Sequence, residues 1–314
     1  MRTIDWVDGA VEIIDQTALP GRLVVQRLET VDDLVDAIRR LAVRGAPALG
    51  VAGAMGVALA AARLKDEALA EAVRRIETAR PTAVNLARGA RRAAACLPEG
   101  PDAVLAVAEA LRDEEIAASA AMATRGADLL LELCGPRPRV LTHCNTGALA
   151  AVVGGTALGV LAELHRRGLL GGVIASETRP LLQGARLTAW ELAELGADFR
   201  VAVDGAGPYL MARGEVDAVV VGADRVCANG DTVNKIGTYA HALGASRAGI
   251  PFVVVAPEST VDPHTPTGRD VAIEDRDGAE VVAGLPAINP AFDVTPYDLV
   301  TAIVTDRRVI RPTG

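Results

Sequence analysis

The side chains best suited to chemistry lie in four short polar runs, each directly following or preceding an apolar stretch. The first is Thr142-His143-Cys144-Asn145-Thr146-Gly147, after a Val-rich run ending near Leu141. A thiol at the mouth of a sheet, ahead of a glycine-rich turn, can act as acid, base or nucleophile when amides or a cation lower its pKa. The alternative is a small buried residue filling a strand end. The polar flank of His143, Asn145 and Thr146 favours chemistry at Cys144, with His143 as support or a satisfied structural imidazole. The second run is Val221-Gly222-Ala223-Asp224-Arg225. Asp224 can move a proton or bind hydroxyls there, or it can cap the following turn. Downstream lie Asn234 and Lys235, Lys235 being one of only two lysines in the chain. At the start of a helix expected over 233–248, an amide, an ammonium and unpaired N–H groups together suit a phosphate.

The third run is Arg44-Gly45-Ala46-Pro47 at a helix entrance, with Arg80-Pro81-Thr82 placed similarly before another. A guanidinium beside a glycine that lets backbone approach a ligand makes an anion site. Ordinary solvated helix-end charges are the alternative, and the spacing of Gly50, Gly53 and Gly56 also suits close helix packing. The fourth is Glu177-Thr178-Arg179-Pro180-Leu181-Leu182-Gln183-Gly184. Gln183 can bond sugar hydroxyls or phosphate, Glu177 and Arg179 can pair to orient the loop, and Asp204 adds a further polar strand end.

Elements of two kinds must position these groups. Residues 1 to about 28 read as a hairpin turning at Asp8-Gly9 plus a third strand over 23–28. Helical periodicity then begins after Thr30 and continues near 47–63, 66–79, 82–96 and 102–133. Beyond Gly135-Pro136, Val-rich runs at 139–142, 172–175, 199–203, 217–222 and 252–256 alternate with helical segments near 155–167, 184–195, 207–213 and 233–248. A helix is expected near 296–304 and a strand over 308–310. Strands alternating with helices imply βαβ units in a parallel sheet. The expected fold is therefore α/β. An N-terminal domain of a short sheet plus helices spans 1–115, and a Rossmann-like catalytic domain spans 116–314. In such sheets ligands bind beyond the carboxyl ends of the strands, where the four runs fall.

Composition narrows the class. Half of the residues are hydrophobic but only 3% are aromatic, which suits Ala-rich helices on Val-rich strands. A net charge of −8 without a dense basic run argues against a nucleic-acid surface. No apolar run has membrane-spanning length, and the opening residues lack a signal core. The four cysteines are widely spaced with no CxxC pair, so neither a disulfide framework nor a zinc site is expected, and a reducing cytoplasm is the simplest compartment.

Eight segments in order, VRGAPALG (43–50), RPTAVNL (80–86), THCNTGALA (142–150), ETRPLLQGARLTAWEL (177–192), VDAVVVGADRVCANGD (216–231), NKIGTY (234–239), TPTG (265–268) and NPAFDVTP (289–296), closely resemble the methylthioribose-1-phosphate isomerases. The resemblance runs from Met1 to about Pro312. It implies catalytic roles for Cys144 and Asp224. It implies substrate and phosphate contacts for Arg44, Gly45, Ala46, Arg80, Gln183, Asn234 and Lys235. It further implies a small sugar phosphate as substrate, aldose–ketose isomerisation in methionine salvage without metal or nucleotide cofactor, and a homodimer. The chain departs from the family at Met55, at Ser119-Ala120, at Ser176 and at Gly205-Ala206. These are expected near loops facing the sugar, so 5-deoxyribose 1-phosphate and ribose 1,5-bisphosphate are the neighbouring substrates. The same fold also serves non-catalytic regulatory subunits of the translation initiation exchange factor. A nucleotide-dependent dehydrogenase is disfavoured because no GxGxxG follows a strand.

Overall fold

A computed structural model describes residues 2–81 and 83–311, and its contacts divide the chain into two compact units. The first comprises residues 1–117 with 148–155, the second 118–147 with 156–314. The helix expected to begin at Thr82 starts within the described residues at Val84; Thr82 itself and Pro312 lie outside them.

In the first unit, β1 (Ile4–Val7), β2 (Ala10–Ile14) and β3 (Val25–Leu28) form an antiparallel meander. Helix α1 (Val31–Arg39) begins at Thr30, whose hydroxyl accepts from the Asp33 amide while the Asp33 carboxylate accepts from the Thr30 amide. This reciprocal cap satisfies two otherwise unpaired helix-end donors. Helices α2 (Ala46–Ala61), α3 (Asp66–Glu77) and α4 (Val84–Ala94) follow. Every residue of α2 from Pro47 to Ala60 is buried. Its glycines serve packing: a Cβ at Gly53 would lie 2.3 Å from the Leu86 carbonyl oxygen, and one at Gly89 would lie 1.9 Å from that of Gly50. Helix α5 (Pro101–Cys134) contributes Val104, Ala108 and Leu111 to this core.

In the second unit, Met122, Ala127, Leu129 and Leu130 of α5 pack in a core of their own. Its main sheet contains β4 (Arg139–Thr142), β5 (Gly172–Ser176), β6 (Phe199–Ala202) and β7 (Ala218–Val221). Helices α6 (Ala157–Arg166), α7 (Ala189–Leu195) and α8 (Ala206–Ala212) come between these strands. After β7 the chain forms β8 (Arg225–Cys227) and β9 (Thr232–Lys235), then α9 (Thr238–Ala248) and β10 (Phe252–Val255). The last elements are β11 (Val261–Asp262), β12 (Phe292–Thr295), β13 (Ala302–Val304) and β14 (Val309–Ile310). The main sheet has the order β14-β13-β10-β7-β4-β5-β6. All its pairings are parallel except β13 with β14. The protein is thus α/β. Its central strands are buried on both faces, which accounts for their continuous Val runs.

Two expectations are corrected. The helix expected over 233–248 is a strand followed by a helix: Thr232–Lys235 pairs with β8 and β12 in a second sheet, ordered β11-β8-β9-β12, and α9 starts only at Thr238. Gly237, at a φ of 103°, makes the break that a side chain would resist. The helix expected near 296–304 is a single 3₁₀ turn at Tyr297–Leu299 and then β13, because Ala302-Ile303-Val304 completes the buried parallel ladder beside β10. A three-residue apolar run does not itself distinguish strand from helix.

Candidate active site

The loops after β4 and β7 leave adjacent strands at the point where strand order reverses, and in open parallel sheets that crevice receives ligands. They carry Cys144 and Asp224. The loops touch: a Cβ at Gly222 would come within 2.8 Å of Thr146 Cγ2. Cys144 is buried and adopts a left-handed backbone, φ 62°. Its N–H donates to Thr178 Oγ1 at 2.9 Å, and its carbonyl accepts from Thr188 Oγ1 at 2.6 Å. The next residue, Asn145, donates to Glu191 Oε1 at 2.7 Å. Glu191 also explains Gly147, where a Cβ would lie 2.3 Å from its carboxylate. Asp224 is exposed between β7 and β8, and its N–H donates to the Val233 carbonyl at 2.9 Å, which ties the turn to β9.

Gln183 precedes a π-helical turn, Gly184–Thr188, that leads into α7. Such wide turns recur at functional sites. Its Oε1 is buried without a hydrogen-bond partner among the described residues, an arrangement that calls for a ligand or water. The same segment packs on the end of β5, for a Cβ at Gly184 would meet the Ser176 carbonyl and Thr178 Oγ1, the oxygen that accepts from the Cys144 amide. Arg179 does not pair with Glu177. Its guanidinium donates to the carbonyls of Pro180 and Val281.

Beneath these loops lies a buried polar network. His143 Nε2 is 2.8 Å from the Ile236 carbonyl, which only accepts, so this nitrogen carries the proton. Ser176 Oγ donates to Asp204 Oδ1 at 3.0 Å and accepts from His241 Nε2 at 3.0 Å. The two imidazoles meet edge to face at 5.0 Å. Burial lowers the pKa of both; for His241, burial and then His143 bring it to about 3. Both rings are neutral at physiological pH, and His143 acts as a support for the β9–α9 turn.

Asn234 and Lys235 therefore sit on a strand and not at a helix start, which corrects the phosphate geometry expected from the sequence. Asn234 Nδ2 donates to Thr238 Oγ1 at 3.0 Å. Lys235 Nζ donates to the Ala291 carbonyl at 2.8 Å and lies 4.6 Å from the centre of the Phe292 ring. The α9 N-terminus is occupied by Asp293, whose Oδ2 accepts from the Gly237 and Tyr239 amides at 2.8 and 3.2 Å. Burial pushes that carboxyl up to about 6.

The remaining sequence-expected residues belong to the first unit. Arg44 Nε donates to Gln16 Oε1 at 3.1 Å. Gly45 caps α2 at a φ of 97°, with a Cβ there clashing with Ala150, and Ala46 opens the helix. The N-cap of α2 is a glycine without a side chain to cap the helix, and its first turn carries no acidic residue. Arg80 precedes α4.

Residues 42–312 match the Initiation factor 2 subunit family. The chain belongs to this family. It is 51% identical to a methylthioribose-1-phosphate isomerase of Anaeromyxobacter sp. (strain Fw109-5), over 99% of this chain and 95% of that protein. It is 47% identical to a 5-deoxyribose 1-phosphate isomerase of Moorella thermoacetica, over 98% of this chain and 94% of that protein. A crystal structure of 5-methylthioribose 1-phosphate isomerase from Pyrococcus horikoshii OT3 superposes with a TM-score of 0.91 at 39% identity, covering 99% and 92% of the two chains.

The departures from the family are not all at loops. Met55 is fully buried within α2 and Ser119 is buried on α5, so these two lie inside helices and not on loops. Ser176 sits at the end of β5 and Gly205-Ala206 at the start of α8. Thr178, Thr188 and Glu191 hold the Cys144 loop and Asp293 holds the α9 N-terminus, contacts that residue type and spacing do not announce. Their only sequence signal was membership of the ETRPLLQGARLTAWEL and NPAFDVTP segments.

Proposed function

We propose that this chain is an aldose–ketose isomerase that converts 5-methylthioribose 1-phosphate into 5-methylthioribulose 1-phosphate. The carrying observation is the emergence of Cys144 and Asp224 from adjacent parallel strands at the reversal of strand order. Counted in chain order, the six parallel strands run 3-2-1-4-5-6, which supports reading the second unit as Rossmann-like.

The substrate carries phosphate on its anomeric oxygen, so the ring must open before C1 and C2 exchange oxidation level. In this reading exposed Asp224 donates and relays protons at the ring and C2 oxygens. Cys144 stands beside C1 and C2, as base toward an enediolate or as guide for a hydride shift. Turnover in D2O separates the two: deuterium entering C1 marks proton transfer, and carry-over of the original C2 hydrogen to C1 without any deuterium is the result expected of a hydride shift. The unpartnered Gln183 Oε1 accepts from a sugar hydroxyl. Asn234 and Lys235 contact the substrate from β9. Arg44, Gly45, Ala46 and Arg80 contribute phosphate contacts, and such anchoring supplies orientation to the reacting carbons.

Incubating the protein with methylthioribose 1-phosphate, 5-deoxyribose 1-phosphate and ribose 1,5-bisphosphate, with ketose followed by NMR, tests the reading. Fastest turnover is expected for the methylthio sugar. The relative from Moorella thermoacetica favours the 5-deoxy sugar as the second reading, and absence of ketose from all three would sink the isomerase. Cys144→Ser and Asp224→Asn are each expected to lower kcat about 10²–10⁴-fold with unchanged circular dichroism. A regulatory, non-catalytic subunit would show no turnover to lose. We also read the chain as a cytoplasmic homodimer, which light scattering and fractionation would check. Among the described residues no helix is long and apolar enough to cross a membrane.

A further inference from the structure

Cys144 is held on both sides of its own peptide by hydroxyls. Sheet pairing ends before it, and its backbone turns into the left-handed region that a β-substituted residue avoids unless its surroundings hold it there. Thr178 Oγ1 takes the N–H at 2.9 Å, and Thr188 Oγ1 gives its hydrogen to the carbonyl at 2.6 Å. Both threonines are buried, Thr178 at 0% and Thr188 at 1% exposure, so neither bond has water as a substitute.

Each threonine is itself fixed. Thr178 lies at a φ of 67°, and its hydroxyl donates to the Ser176 carbonyl at 3.0 Å, which leaves its oxygen free only to accept from Cys144. The amides of Thr178 and Arg179 donate to the two carboxylate oxygens of Asp204 at 2.8 and 2.7 Å. Thr188 closes the π-helical turn and also accepts from Asn145 Nδ2 at 3.3 Å. A left-handed residue directs its Cα–Cβ bond differently from an extended one, so the backbone angle of Cys144 decides where the sulfur stands.

We propose that Thr178 and Thr188 are positioning residues: they clamp the left-handed backbone of Cys144 and so aim its thiol, with Asp204 as the anchor of the Thr178 side. The inference rests on the reading of Cys144 as a catalytic residue. Thr178→Val and Thr188→Val keep the shape and remove the hydroxyl. Each is expected to lower kcat about 10–100-fold while KM stays within about threefold, because misaiming a reacting group slows chemistry more than binding. Thr178→Ser restores the hydroxyl and is expected to return kcat to within about threefold of the parent. Amide hydrogen exchange at Cys144 gives a readout independent of turnover and is expected to accelerate at least about tenfold in Thr178→Val.

Parental kcat in both valine variants, with Cys144→Ser inactive, would overturn the inference. So would a Thr178→Ser enzyme as slow as Thr178→Val, since the hydroxyl would then not be the cause. Should Thr178→Val fail to fold, Thr188→Val and Thr178→Ser decide by the same kcat criteria. Near-parental turnover by Cys144→Ser would instead remove the reading of Cys144 on which the inference stands.

Discussion

Two titratable side chains of the second unit, buried His241 and half-buried Asp293, are displaced from their ordinary pKa values in opposite directions by the same cause. Burial disfavours the charged form, which lowers the imidazole to about 3 and raises the carboxyl to about 6. Their effects on stability also oppose. The folded state holds His241 neutral, so its contribution is present above the ordinary value of 6.5 and is lost as pH falls toward 3. The folded state favours protonated Asp293, so its contribution is present below the ordinary 3.8 and is lost as pH rises through about 6. Between pH 7 and pH 5, His241 removes about 2 kcal/mol and Asp293 returns roughly 1 kcal/mol. Urea unfolding at the two pH values checks this. His241→Gln is expected to gain stability on acidification relative to the parent, and Asp293→Asn to lose more than the parent does. The neighbourhood of these residues could be placed from sequence, since His241 and Asp293 lie in or near the NKIGTY and NPAFDVTP segments. Their burial could not, because it depends on α8 packing over His241 at Gly207 and on β12 pairing with β9.

Among elements, the closest packing in the first unit is that of α2 against α4, and glycines permit it. A Cβ at Gly89 would lie 1.9 Å from the Gly50 carbonyl oxygen, a backbone atom that no rotamer change can move aside. Gly89→Ala is therefore expected to cost about 3 kcal/mol or more, the upper range for overpacking, read as a lower urea midpoint. Gly205→Ala is the matching control. Its Cβ meets nothing within 4 Å and its φ is negative, so a change within about 0.5 kcal/mol is expected. The helices of this unit were legible because apolar periodicity, the Thr30 cap and the Leu97-Pro98-Glu99-Gly100-Pro101 break are all local signals. The β9–α9 boundary was not. Residues 232–248 contain no proline, and only pairing with β8 and β12 makes the first four a strand.

Across the whole molecule, the formal charge of −8 opposes a dianionic sugar phosphate, whereas the proposed contacts at Arg44, Arg80 and Lys235 would attract it. Added salt relieves the first effect and weakens the second, over a Debye length of about 10 Å at 0.1 M. With the proposed contacts dominant, kcat/KM is expected to fall between 0.05 and 0.5 M NaCl, roughly severalfold, with kcat nearly constant. A rise with salt would place the net charge in control. By itself the amino-acid sequence determined the α/β class, most helices and strands, and the order of eight motif segments, because these reside in local periodicity, turn chemistry and residue type. The tertiary structure alone decided that Asn234 and Lys235 lie on a strand, that Asp293 occupies the α9 N-terminus, and that Thr178 and Thr188 close on Cys144. Those partners are 34 to 56 residues apart in the chain, and a hydrogen bond at such separation is set by strand register and loop packing, which no local pattern encodes.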